Sequence, residues 1–389
     1  MSRETEILYK GSRITGKHDT PECEPIYLTN AFNVSDLDEL DFVYDGGGYA
    51  YNRTCNPNRT MLAEIMTYLE GGEDTLVCNC GMSAITTALL TLVRSGDHIL
   101  SDRTLYGETI DVISKVLGKL GVEVTYIDFA NLDEVRAGIK SNTKVMYTET
   151  ESNPMMGIVD ISVLSEIAHE HGIKLVVDNT FTTSYMIRPL EQGADVAVSS
   201  LTKFVNGHGD TLAGSITSTK EFIHEAYEVQ QFTGSIADPF SCWTVLRSIR
   251  TLDLRMPRHM ENAAKLAYAL EKDPHVTKVI YPGLASHPQH ELAKRVFSHG
   301  FGGMLSFFVP EDRQKINAFM HELKYVRYAM TLGGCRTTIA HPVTSSHYDV
   351  PEEERRKMGI TFGLIRVSVG LENADDLIAD FTNALKVFD

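Results

Sequence analysis

Two neighbouring stretches of this sequence end in residues that can do chemistry. Lys174-Leu-Val-Val-Asp178 is an apolar run closed by an acid, and Asp195-Val-Ala-Val-Ser199 runs into Ser200-Leu-Thr202-Lys203. Each has the length and content of a buried strand. In an open parallel sheet, ligands bind beyond the carboxyl ends of the strands. Asp178 and Lys203 are therefore expected at one sheet edge, a crossover apart. An amine and a carboxylate so placed, with hydroxyls at Ser200 and Thr202, suit pyridoxal phosphate. The amine forms a Schiff base with the aldehyde, and the acid keeps the pyridine nitrogen protonated so that the ring accepts electrons. An isolated loop lysine is ordinarily only solvated. Here a strand and two hydroxyls precede Lys203, and Asn206-Gly-His-Gly-Asp210 follows it.

A phosphate needs donors, and Asn79-Cys80-Gly81-Met82-Ser83-Ala84 lies where a strand gives way to a helix. Helix N-termini present unpaired N–H groups to anions, although most glycines at such junctions merely turn the chain. Neither a G-x-G-x-x-G after a strand nor a G-x-x-x-x-G-K-[ST] is present, so dinucleotide and P-loop readings lose their main support. Arg366 lies inside the strand pattern Leu364–Val369, where a guanidinium needs an anion. A planar guanidinium suits a carboxylate; a structural ion pair is the plainer alternative.

The elements that must position these residues alternate in type. Candidate strands are Thr75–Cys78, His98–Leu100, Val122–Ile127, Lys144–Thr148, Lys174–Val177 and Asp195–Ser199. Helical patterns lie between them at Ala84–Val93, Thr109–Leu120 and Val163–His171, the last closed by Gly172. This predicts an α/β domain with a mostly parallel sheet covered on both faces. Residues 1–55 read as an arm and 56–254 as the large domain. Residues 255–389, with a helix at Met260–Glu271 and widely spaced strands at Val276–Ile280, Met304–Val309, Tyr325–Ala329 and Ile365–Val369, read as a smaller α+β domain.

Composition excludes other classes. With 36 basic and 52 acidic residues the net charge is −16, which disfavours nucleic acid and anionic membranes as partners. No segment approaches the ~20 uninterrupted apolar residues of a membrane span, and the first ten residues lack a signal-peptide core. Six scattered cysteines, two of them in one C-x-C, make neither a disulfide scaffold nor a zinc pattern, so a cytoplasmic protein without metal is expected.

Several motifs occur in order: Tyr51-Asn-Arg53 with Asn56-Pro57, Cys80-Gly81-Met82, Leu105-Tyr106-Gly107, Glu149 with Asn153-Pro154, Val177-Asp178-Asn179-Thr180, Ser200-x-Thr202-Lys203-x3-Gly207-His208, and Arg366-Val-Ser-Val-Gly-Leu-Glu372. Over about residues 20–389 the chain resembles the Cys/Met-metabolism family of pyridoxal-phosphate enzymes. The resemblance implies an aminotransferase-like fold of type I and a tetramer built from two dimers. It implies that Lys203 is the Schiff-base lysine and proton carrier, Asp178 the partner of the pyridine nitrogen, and Tyr106 the residue that stacks on the ring and assists proton transfer. Gly81, Met82, Ser200 and Thr202 match the phosphate cradle, and Asn153 a residue near the ring oxygen. Tyr51 and Arg53 match residues that reach the neighbouring subunit's phosphate. Arg366 corresponds to the arginine that grips the substrate α-carboxylate.

Two positions depart from the family pattern. Glu108 stands where Gly or Cys is usual, and Arg336 where Glu is common; Thr331 replaces a usual Ser. We expect Glu108 and Arg336 to face each other across the pocket as a charge swap, or Arg336 to meet a polar distal group of the substrate. The expected activity is elimination on a sulfur amino acid, of the methionine, homocysteine or cystathionine γ-lyase type. A γ-replacement transferase uses the same residues and is the alternative; a non-catalytic cofactor-binding protein is a remoter one.

Overall fold

The computed structural model describes residues 2–12, 21–348 and 350–389. Part of the expected arm, residues 13–20, and Asp349 lie outside the described residues.

Seven strands form the central sheet: β1 (Asp74–Cys78), β2 (His98–Asp102), β3 (Glu123–Ile127), β4 (Thr143–Glu149), β5 (Lys174–Asp178), β6 (Val196–Ser199) and β7 (Gly214–Ser218). Their order is β1-β7-β6-β5-β4-β2-β3, and only β7 runs antiparallel to its neighbours. Because strand side chains alternate faces, Leu175 and Val177 enter one apolar core while Val176 enters the other. Helices cover both, as a parallel sheet requires.

The helices that position the site begin with α1 (Pro57–Glu70) and α2 (Gly81–Leu92), followed by α3 (Ile161–Glu170), α4 (Leu252–Glu271) and α5 (Ala374–Leu385). α1 carries Asn56 as N-cap, Pro57 in its first turn and Gly71 at φ +74 as its stop, which are ordinary start and stop signals. Gly172, at φ +66, follows α3 as its spacing predicts. The helix expected at Thr109–Leu120 begins at Gly107, widens to a π turn over Val112–Leu117 and tightens over Gly118–Leu120.

A second sheet has the order β10-β11-β12-β9-β8, from β8 (Lys278–Ile280), β9 (Met304–Phe308), β10 (Arg327–Tyr328), β11 (Thr338–Ala340) and β12 (Leu364–Ser368). It is antiparallel except for β10 and β11. α4 ties the two halves together. Its Leu252, Met256 and Met260 belong to the large core, whereas Ala263, Leu266 and Leu270 belong to the core under the second sheet. The division expected at residue 254/255 therefore cuts the first turn of one continuous helix. Among the described residues, no helix is long and apolar enough to cross a membrane.

Candidate active site

β4, β5 and β6 end at the same edge, and their last residues begin the site. Glu149 and Asp178 are paired in register at the ends of β4 and β5. Both carboxyls are buried. Burial pushes Glu149 well above the carboxylate range, with the charge of Asp178 adding to the rise; the Tyr106 N–H, 2.6 Å from Glu149 Oε1, opposes it. Asp178 is raised by burial to about 6, while Thr180 lowers it through a 2.9 Å bond from its N–H. Two adjacent acids in low dielectric cannot both ionise cheaply. Burial and the neighbouring charge favour the protonated form of Glu149, which makes Asp178 the better placed of the two to answer a cation.

β6 leads into the turn that carries Lys203. The Thr180 hydroxyl accepts from Ser200 N–H at 2.8 Å, and Thr202 Oγ1 exchanges hydrogen bonds with Ala213 at 3.1 and 3.2 Å, which fixes the turn on both sides. Arg255 of α4, buried among carbonyls, donates to Phe204 O and Val205 O at 2.6 and 2.7 Å just beyond the lysine. The Lys203 ammonium has no hydrogen bond or ion pair among the described residues. Burial lowers its pKa, the Arg366 charge acts in the same direction, and Glu108 opposes both.

The start of α2 faces this turn. Cys80 and Ser83 cap each other, Cys80 Sγ accepting from Ser83 N–H at 3.4 Å and Ser83 Oγ from Cys80 N–H at 3.1 Å. That cap leaves the N–H groups of Gly81 and Met82 uncommitted. A Cβ at Gly81 would lie 2.7 Å from the Ser200 Cβ, so only glycine lets the helix end and the lysine turn approach. The result is an anion cradle of two N–H groups and the Ser200 hydroxyl, with Thr202 beside it bonded to Ala213.

The second sheet supplies the opposite wall. Arg366 of β12 is buried; its Nη1 donates to Asn153 Oδ1 at 2.9 Å, Nη2 lies 3.5 Å from Thr331 O, and Nε has no partner. Burial lowers its pKa to about 10, so it remains a cation at neutral pH. Gly333, at φ +75, brings that wall onto the lysine backbone, since a Cβ there would lie 2.8 Å from Lys203 C. Tyr106 precedes the short helix Gly107–Asp111, and burial followed by the Glu108 carboxylate raises its phenol well above its usual value.

Gly81, Met82, Tyr106, Asn153, Asp178, Ser200, Thr202 and Lys203 share one cavity of about 930 Å³ with Arg366, Glu108 and Thr331. Three expected residues lie elsewhere. Tyr51 and Arg53 are exposed on the arm, where Arg53 stacks on Tyr51 and donates to Gln231 O at 3.2 Å. Arg336 is exposed too and makes no ion pair with Glu108, so the expected charge swap across the pocket is not present. Its neighbours explain this: Cys335 Sγ turns inward to Gly207 O at 2.9 Å and Thr337 Oγ1 to Glu372 at 2.8 Å, which leaves the side chain between them pointing out. Sequence reading missed Glu149, Glu151 and His347 as cavity residues. Glu149 had a signal, the acid closing the strand beside Asp178; Glu151 lies in an isolated bridge to Ile158 and His347 in a turn, with no periodicity to betray either.

The walls fit pyridoxal phosphate. The glycine cradle suits a phosphate, the buried Asp178 a pyridinium, and the free amine of Lys203 an aldehyde. A model of the family described as "Cys/Met metabolism PLP-dependent enzyme" matches residues 4–386. The chain is 41% identical over 367 residues to an L-methionine gamma-lyase of Fusobacterium nucleatum subsp. polymorphum, covering 93% of each chain. It is 40% identical over 388 residues to a cystathionine gamma-lyase of Bacillus subtilis (strain 168), covering 99% of this chain and all of the relative. A solved cystathionine gamma-lyase from Lactobacillus plantarum, complexed with L-serine, superposes with a TM-score of 0.92 at 32% identity over 100% of this chain and 99% of that one. Sheet, cavity and relatives agree: the chain belongs to the Cys/Met metabolism family of PLP-dependent enzymes.

Proposed function

We propose that the protein eliminates the side chain of a thioether or thiol amino acid, of the methionine, homocysteine or cystathionine type, to give a 2-oxo acid, ammonia and a thiol. One observation carries the reading: a lysine of lowered pKa, a buried acid and an arginine with a free edge line the same cavity. The γ-lyase names of the two relatives support elimination as the outcome.

When bound, pyridoxal phosphate supplies an electrophilic aldehyde and an electron-withdrawing ring that acidifies the hydrogens of the amino acid. Gly81, Met82, Ser200 and Thr202 would hold its phosphate, Asp178 its ring nitrogen, Asn153 its ring oxygen, Tyr106 its ring face and Lys203 its aldehyde. Arg366 binds the substrate α-carboxylate through its free edge, which orients the α-hydrogen toward Lys203. Lys203 Nζ takes that proton and carries it onward; the amine must be neutral to do so, and burial and the Arg366 charge favour the neutral form. Tyr106 Oη keeps its proton at neutral pH and donates it to the departing sulfur. Glu108 and Thr331 wall the space for the side chain.

Tyr51 and Arg53 complete a neighbouring subunit's phosphate site, in a tetramer assembled from two dimers. This is supported by their exposure beside Leu28, Leu37, Phe42 and Tyr44, large apolar residues that a lone subunit leaves in water. The compartment is the cytoplasm, supported by six cysteines that all stand free. Incubation with methionine, homocysteine, cystathionine and O-acetylhomoserine, with and without sulfide, tests the reading. A 2-oxo acid and a thiol should appear from a sulfur substrate without added thiol. Product that forms only when sulfide is supplied would make the enzyme a γ-replacement transferase instead.

A further inference from the structure

Besides Arg366, the cavity holds a second buried nitrogen with no partner. His347 is 1% exposed and lines the cavity, and its Nε2 is unpaired. Its other ring nitrogen is committed: Nδ1 lies 2.9 Å from Ser346 Oγ. The turn that carries it is held, with His347 N–H donating to Pro342 O at 2.9 Å and Val350 N–H to His347 O at 3.3 Å. It also packs against Gly107, where a Cβ would come 2.6 Å from Ser346 O.

A buried imidazole nitrogen left without a partner is costly unless a ligand supplies one. The charges around it decide the ligand's sign. Arg366 and Arg355 act on the ring and, with burial, keep it neutral. Two guanidinium groups repel an ammonium, so the missing partner is an acceptor and preferably an anion. A Ser346 hydroxyl that donates to Nδ1 leaves the ring hydrogen on Nε2, the tautomer that an anion would select. Every amino-acid substrate brings one carboxylate, and Arg366 Nε is free to take part of it.

We propose that His347 is a second ligand of the substrate α-carboxylate, its Nε2–H acting beside the free Nε–H of Arg366. The assignment rests on the reading of Arg366 given above and adds a neutral, directional donor to a cationic one. Such a pair orients the carboxylate as well as attracting it.

Two polar substitutions separate the ring nitrogens. His347→Asn keeps a group at the Nδ1 position and removes the Nε2 donor, whereas His347→Gln keeps a donor near Nε2. The holoenzyme is titrated with norleucine, which has a carboxylate but no sulfur to expel, and with pentylamine, the same skeleton without the carboxylate. Dissociation constants are read from the cofactor's absorbance. Loss of one such hydrogen bond should weaken norleucine ~10–100-fold in H347N, leave pentylamine within about 2-fold, and be largely restored in H347Q. Unchanged norleucine binding in H347N, or an equal loss for pentylamine, overturns the proposal. Arg366→Leu serves as the control. If it weakens norleucine while H347N does not, only His347 is wrongly assigned; if neither variant affects norleucine, the carboxylate reading of Arg366 falls with it.

Discussion

Asp178 and Glu149 are chemically alike, both buried and one strand apart, yet their hydrogen bonds differ, Glu149 accepting from Tyr106 N–H and Asp178 from Thr180 N–H. Burial beside a second acid favours the protonated form of Glu149; we expect Asp178 to ionise against a cation. Glutamine is a near copy of a protonated glutamate, so Glu149→Gln should keep kcat/KM within about 5-fold of wild type. Asparagine cannot replace an ionised aspartate, and Asp178→Asn should lower kcat/KM ~10²–10⁴-fold, the range expected when a group that sets proton transfer is lost. Steady-state kinetics of the two variants decide the matter, and equal losses would refute the division of roles. Asp178 was legible in the sequence because it closes an apolar strand, and Lys203 because it follows one after two hydroxyl residues. Arg336 was misread because facing across a pocket depends on the inward turn of Cys335 and Thr337, which spacing does not encode.

At the scale of elements, the parallel strands could be read from their apolar runs, since both faces of each are buried. β7 escaped that reading. Gly214-Ser-Ile-Thr-Ser218 is small and polar, and only its place between β1 and β6 makes it a strand. β11 is three residues long, and a run so short has no period to detect. The site depends on one such invisible fit, the approach of α2 to the lysine turn. Gly81→Ala puts a methyl group 2.7 Å from the Ser200 Cβ, so the turn must give way. We expect ~10-fold or weaker affinity for pyridoxal phosphate in the reconstituted apoenzyme, from a displaced phosphate cradle, with the fold retained by circular dichroism. Wild-type affinity in this variant would show that the cradle lies elsewhere.

For the whole molecule, buried acids make stability depend on pH. Glu151 is 1% exposed, both its oxygens lack partners, and burial raises its pKa to about 8. Folded protein therefore holds a proton there that unfolded chain releases above the ordinary carboxylate range. Stability contributed by that proton is complete at low pH and declines as pH rises toward 8. One such proton amounts to ~1.4 kcal/mol per pH unit. Denaturant titrations at pH 6 and pH 7 should show Glu151→Gln gaining about that much on wild type across the interval; parallel behaviour would mean that the acid is ionised in the fold. Assembly gives a second prediction at this scale. If Arg53 completes a neighbour's site, Lys203→Ala and Arg53→Ala subunits, each inactive alone, should complement when dissociated and reassociated together. Random pairing yields up to roughly a quarter of wild-type activity, because half the dimers are mixed and one of their two sites carries neither change. No recovery would place Arg53 outside the neighbour's site.

The most direct measurement on the central claim is peptide mapping of holoenzyme reduced with borohydride. The account predicts a pyridoxyl group on Lys203, in the peptide that follows β6, with none elsewhere in the chain. A pyridoxyl group on any other lysine, or an unmodified Lys203 in enzyme that eliminates thiol, would contradict it.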